Sequence, residues 1–107
     1  MGVDPIISKS STTNNKVLTF KNYAQCITDL YTRKNTDYGD SFGISVQKYG
    51  LIAALTRISD KFNRLESLIL NHTSLVKDEK LEDTLLDLAS YCIMTCIELD
   101  TTDKTKE

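Results

Sequence analysis

Two aspartates, Asp83 and Asp87, stand four residues apart in a stretch with helical apolar spacing, so their carboxylates share one face. Like charges at that spacing repel by roughly a few tenths of a kcal/mol, which a cation from a neighbouring helix or a bound metal would relieve. Ser90, Tyr91 and Met94 continue the same narrow polar strip. Magnesium favours oxygen ligands of this kind and is usually shared with substrate phosphates. A second group, Arg57, Asp60, Lys61 and Arg64, falls on one side of a helical wheel opposite an apolar stripe. The plainer readings are an Asp60–Arg64 ion pair on a solvated face, and an Asp83 that complements a helix N-terminus. Asp87 lies too deep in its helix for that help. The third group is Asp37-Tyr38-Gly39-Asp40-Ser41-Phe42. It reads either as a helix end followed by a Ser41 N-cap, or as a loop where a tyrosine and carboxylates flank backbone N–H groups that receive phosphate.

Other chemistries find less support. No Walker-type or dinucleotide-binding glycine pattern occurs. Cys26, Cys92 and Cys96 form no CxxC and are too few for a zinc site, so they read as reduced structural thiols. The single histidine, His72, lies in a polar stretch and gives no basis for a Cys–His nucleophilic pair.

Three helical segments must position these groups. The first spans about residues 17–34, with Phe20, Tyr23, Ala24, Ile27, Leu30 and Tyr31 at three- and four-residue spacing. It is followed by turn formers from Lys34 to Ser41. The second begins near 41–44, bends at Gly50, and carries Leu51, Leu55, Ile58, Phe62, Leu65 and Ile69 as its apolar stripe to about Leu70. A short extra helix near 41–49 is compatible with that bend. The third starts after Asp78 as N-cap and runs to about Leu99, with Leu81, Leu85, Leu88, Cys92, Cys96 and Leu99 on its main face. No strand alternation is sustained, so the fold class is all-α, a bundle of three main helices. Leu86, Ile93 and Ile97 widen the third helix's apolar surface beyond the need of one neighbour. Oligomerisation, with a homodimer as the minimum, is the expected completion.

The chain has 107 residues, 13 Lys+Arg against 15 Asp+Glu, one proline and no tryptophan. That length supports one domain. Residues 1–16 are expected to be a flexible arm, 17–99 the domain, and 100–107 a flexible tail. A net charge of -2 argues against a grip on nucleic-acid polymer, which needs a basic surplus. No apolar run approaches the ~18 residues of a membrane span, and the N-terminus lacks a signal-peptide pattern. A cytoplasmic protein is expected.

The segments Lys34–Phe42 with its DYG, Tyr49-Gly50-Leu51, Arg57-Ile58-Ser59-Asp60-Lys61-Phe62-Asn63-Arg64-Leu65 and Asp83-Thr84-Leu85-Leu86-Asp87-Leu88-Ala89-Ser90-Tyr91 together resemble the nucleotide modification associated domain 1 family. That family is common in bacteriophages and prophages, so the resemblance places the protein in the host cytoplasm. It covers about residues 20–98. The family in turn is distantly similar to the all-α MazG-like and dimeric dUTPase pyrophosphohydrolases, which hold magnesium between an E-x-x-E and an E-x-x-D pair to bind phosphates and activate water. Carried over by position, Asp60, Asp83 and Asp87 become metal ligands. Lys34, Asp37, Tyr38, Gly39, Arg57, Lys61, Arg64 and Tyr91 become ligand-binding residues. Two acids of the pattern are missing: Thr84 replaces the glutamate of E-x-x-D, and Arg57 stands three residues before Asp60. The added cations suit phosphate oxygens.

The expected partner is therefore a nucleotide-like small molecule. Three functions compete. One is magnesium-dependent hydrolysis of a canonical or modified nucleoside triphosphate linked to DNA base modification. Another is non-catalytic binding of a nucleotide or nucleotide second messenger. The third is a structural helical interaction domain whose charges pair inside a closed interface.

Overall fold

The computed structural model describes residues 11–71 and 78–106, with side chains over 15–71 and 81–101. Four helices account for nearly all of them: α1 (Ser11–Tyr38), α2 (Ser41–Tyr49), α3 (Leu51–Asn71) and α4 (Asp78–Lys106). No strand occurs among the described residues. The fold is all-α, three long helices and one short one, and none of the described helices is long and apolar enough to cross a membrane.

Helix α1 extends further than its apolar spacing indicates at both ends. It starts at Ser11, inside the expected arm, and runs to Tyr38, through residues expected to form a turn. Asn35, Thr36 and Asp37 each cost only about 0.5–0.7 kcal/mol relative to alanine in a helix. The stop comes at Gly39, whose φ of 77° places it in the left-handed region and whose N–H donates to the Asn35 carbonyl at 2.9 Å. Helix α4 likewise continues past Leu99 to Lys106, through the expected tail.

Helix α2 is capped by Asp40 rather than Ser41. The Asp40 carboxylate accepts from the Gly43 N–H at 3.2 Å. A Cβ at position 43 would collide with that carboxylate, so the cap requires glycine there. The expected bend at Gly50 is a full break. Gly50 sits at φ 82° and its N–H donates to Val46 O at 2.7 Å, ending α2, while its own carbonyl accepts from Ala53 N–H as α3 begins.

Helices α3 and α4 run antiparallel, as Arg57 meets Tyr91 and Lys61 meets Asp87. Helix α2 packs on both, and α1 lies along α4, where the Tyr23 hydroxyl donates to Glu82 at 3.4 Å. Among the described residues Phe42, Val46 and Ala54 are the buried apolar side chains, with Ala53, Tyr91 and Met94 packed on them. Glu98 is also buried, its carboxylate accepting from Gln47 Nε2 at 3.1 Å.

The two apolar stripes do not form this core. Leu51, Leu55, Phe62 and Ile69 of α3 are exposed, and only Ile58 and Leu65 of that stripe are half-buried. On α4, Leu85, Cys92, Cys96 and Leu99 are exposed, and only Leu81 and Leu88 of that stripe are half-buried. The three free cysteines, Cys26 included, are therefore surface thiols in the single chain rather than interior ones. What turns inward instead is the polar strip of α4: Thr84, Asp87, Tyr91, Met94 and Glu98 are buried or half-buried.

Candidate functional site

The inward-facing polar strip lines a cleft of about 370 Å³. Its walls come from all four helices. The last turns of α1 supply Leu30, Tyr31, Lys34 and Tyr38. Gly39 and Asp40 lead into Ser41 and Phe42 at the start of α2. Helix α3 contributes Arg57 and Lys61, one turn apart, and α4 contributes Asp87, Ser90, Tyr91 and Met94. The four-residue spacing of Arg57 and Lys61, and of Asp87 and Tyr91, is what lets an antiparallel pair of helices match them two by two.

Tyr91 is fixed at the floor. Phe42 packs against its ring with centroids 5.5 Å apart at an interplanar angle of 49°. Arg57 Nη1 donates to the Tyr91 hydroxyl at 3.2 Å, and the guanidinium carbon lies 5.8 Å from the ring centroid. That distance is near the limit for a cation–π contact, so the hydroxyl carries most of the interaction. Lys61 Nζ lies 3.2 Å from Asp87 Oδ2, and both side chains are about 30% exposed (29% and 31%). Lys34 makes no hydrogen bond or ion pair among the described residues. The lining therefore presents three cations, one of them unengaged, against the carboxylates of Asp40 and Asp87. Asp40 already caps α2.

Of the residues singled out in the sequence, Lys34, Tyr38, Gly39, Arg57, Lys61, Asp87 and Tyr91 come together here. Asp37 is exposed in the last turn of α1, and Arg64 and Asp60 are exposed on α3; none of the three lines the cleft. Asp83 lines a neighbouring depression of about 290 Å³ with Leu30, Lys34, Leu86 and Asp87. Asp60, Asp83 and Asp87 are thus not assembled as a trio. Among the described residues no group of three or more His, Cys, Asp or Glu side chains stands at metal-binding spacing. The reason is rotational: Asp60 lies three residues beyond Arg57 and one before Lys61, on the outer edge of the α3 face that meets α4. His72 lies outside the described residues.

Leu30, Tyr31, Phe42, Ser90 and Met94 also line the cleft. Leu30 and Tyr31 carried a signal, but as part of an apolar stripe rather than as cleft residues. Phe42 follows the DYG segment directly, and Ser90 and Met94 stood on the polar strip without an assigned role.

No curated protein and no solved structure matches the chain. The family model for nucleotide modification associated domain 1 matches residues 34–99, from the lysine of the cleft wall to the end of the α3–α4 pairing. It spans the DYG cap and every cleft residue of α2, α3 and α4. With well over half of its length matched, the chain belongs to the nucleotide modification associated domain 1 family.

Proposed function

We propose that the cleft binds a phosphate-bearing nucleotide without hydrolysing it, and that the protein acts as a nucleotide-binding module in nucleotide modification. The observation that carries this reading is the pairing pattern on the α3–α4 walls. Arg57 is held by the Tyr91 hydroxyl and Lys61 by Asp87, so both cations are oriented into a cleft that Lys34 enters unpaired. A guanidinium with donors to spare and two ammonium groups suit phosphate oxygens. Tyr38, Tyr31 and Tyr91 offer aromatic surface for a base. The volume of about 370 Å³ falls in the range of small-ligand sites.

Magnesium chemistry fits these residues poorly. Two carboxylates one turn apart, Asp83 and Asp87, border the side depression, but Asp87 is engaged by Lys61 and Asp60 is elsewhere. A divalent ion favours several oxygen ligands, and an ammonium 3.2 Å from one of them opposes it.

The test is mass spectrometry of small molecules released from the purified protein, before and after incubation with magnesium. An intact nucleotide that survives incubation supports binding. Conversion to a monophosphate and pyrophosphate would replace this reading by the hydrolytic one. An empty protein that shows no thermal shift across a library of canonical and modified nucleotides would leave only a structural role.

A further inference from the structure

We infer that the apolar back of the α3–α4 layer packs against the same face of a second copy of this chain, forming a two-fold, four-helix bundle with both clefts on its outer sides. The geometry follows from the pairings already described. Ala54, Lys61 and Leu68 mark the side of α3 that meets α4. At roughly 100° per residue, Leu51, Leu55, Phe62 and Ile69 sit about a quarter turn further round, away from Arg57. On α4, Leu85, Cys92, Cys96 and Leu99 are offset from Thr84, Tyr91 and Glu98 in the same sense. Antiparallel helices wind in opposite senses when viewed from one end. Equal offsets therefore bring both stripes to one side of the layer, opposite the cleft.

Three observations identify the occupant as another copy. The α3 stripe runs 51, 55, 58, 62, 65, 69, alternating steps of four and three, which is the period of a seam between packed helices. A partner with matching period is present in every copy of the chain. The two stripes are also open in the single chain: Leu51, Leu55, Phe62, Ile69, Leu85 and Leu99 each expose between 44% and 57% of their surface, a contiguous apolar face of the kind that marks an interface. Finally, the buried apolar core of the described residues is Phe42, Val46 and Ala54. A core that small needs a partner present as soon as the chain is made, and its own copies meet that need.

The inference does not depend on what the cleft binds, and cysteine reactivity reports it directly. Cys92 and Cys96 lie on the inferred interface, whereas Cys26 lies on α1. Full-length wild-type protein should sediment at micromolar concentration as a dimer or an even multiple of 12.1 kDa. Under native conditions a disulfide thiol reagent should modify one cysteine per chain quickly, and the other two at least about tenfold more slowly. Phe62→Glu should abolish that protection together with the dimer mass, whereas Phe20→Glu on α1 should change neither. A folded 12.1 kDa species overturns the inference, as does an oligomer in which three thiols react at one rate. The wild-type mass and thiol count decide the matter even where Phe62→Glu fails to fold.

Discussion

Replacing Asp87 by asparagine should tighten nucleotide binding, and the sign of that effect separates the two chemical readings of the cleft. The Lys61–Asp87 contact is 3.2 Å long between side chains 29% and 31% exposed. Pairs so accessible to water contribute about 0–1 kcal/mol to stability, so Asp87→Asn should lower unfolding free energy by less than about 1 kcal/mol. A phosphate oxygen in contact with Lys61 Nζ would lie about 6 Å from the Asp87 carboxylate. At that distance a unit charge pair repels by about 1–3 kcal/mol at effective dielectric constants of about 20 to 60. Removing the carboxylate therefore favours the anion by about 1 kcal/mol after Lys61 loses its strongest orienting partner, a roughly fivefold gain in affinity. The assay is isothermal titration of wild-type and Asp87→Asn protein with the same nucleotide in the presence of EDTA, with urea unfolding to verify the small stability change. Weaker binding by Asp87→Asn would refute the reasoning, because it would make the carboxylate a ligand-holding group rather than a competitor for Lys61.

Other expectations follow from individual contacts. Arg57→Ala removes a charged donor from the cleft and the partner of the Tyr91 hydroxyl; with charged hydrogen bonds at about 1.5–3 kcal/mol, affinity should fall about 10- to 100-fold in the same titration. Tyr91→Phe keeps the Phe42 packing but frees Arg57, and should cost less, about three- to fivefold. Gly43→Ala places a methyl group against the capping carboxylate of Asp40, and the lost cap, about 1 kcal/mol, should roughly cancel the helix propensity that alanine gains over glycine in urea unfolding. In an Asp40→Ala background, where no cap remains to lose, the same change should stabilise the fold by up to about 1 kcal/mol. Gly39→Ala, at φ 77°, should cost about 1 kcal/mol of stability.

The helical class and an irregularity at Gly50 were legible because each rests on local chemistry: three- and four-residue apolar spacing, and a glycine able to adopt positive φ. Seven of the eleven residues selected for the site line the cleft, and they do so because i,i+4 spacing fixes which side chains share a helix face. What a single sequence hides is the direction in which a face points. The strip carrying Asp87 and Tyr91 reads either as a solvated face or as a metal- or phosphate-binding one, and the stripe carrying Leu85, Cys92 and Leu99 reads as core. In the chain the strip lines a cleft and the stripe lies outside. Amphipathic reasoning assumes that water lies on the polar side, an assumption that fails where a polar site is enclosed. The continuation of the helix from Lys34 to Tyr38, where the residue types indicate a turn, is hidden for a related reason: modest helix propensity costs less than the capped end at Gly39 recovers.

The central claim, that Lys34, Arg57 and Lys61 hold the phosphate of a nucleotide, is tested most directly by equilibrium binding of a panel of canonical and modified nucleotides in EDTA. Wild-type protein is compared with Arg57→Gln, and each nucleotide with its unphosphorylated nucleoside. The account predicts that at least one nucleotide binds at one site per chain, that its nucleoside binds at least tenfold more weakly, and that Arg57→Gln loses at least tenfold in affinity. A panel with no binder, or a binder indifferent to both the phosphate and Arg57, would contradict it.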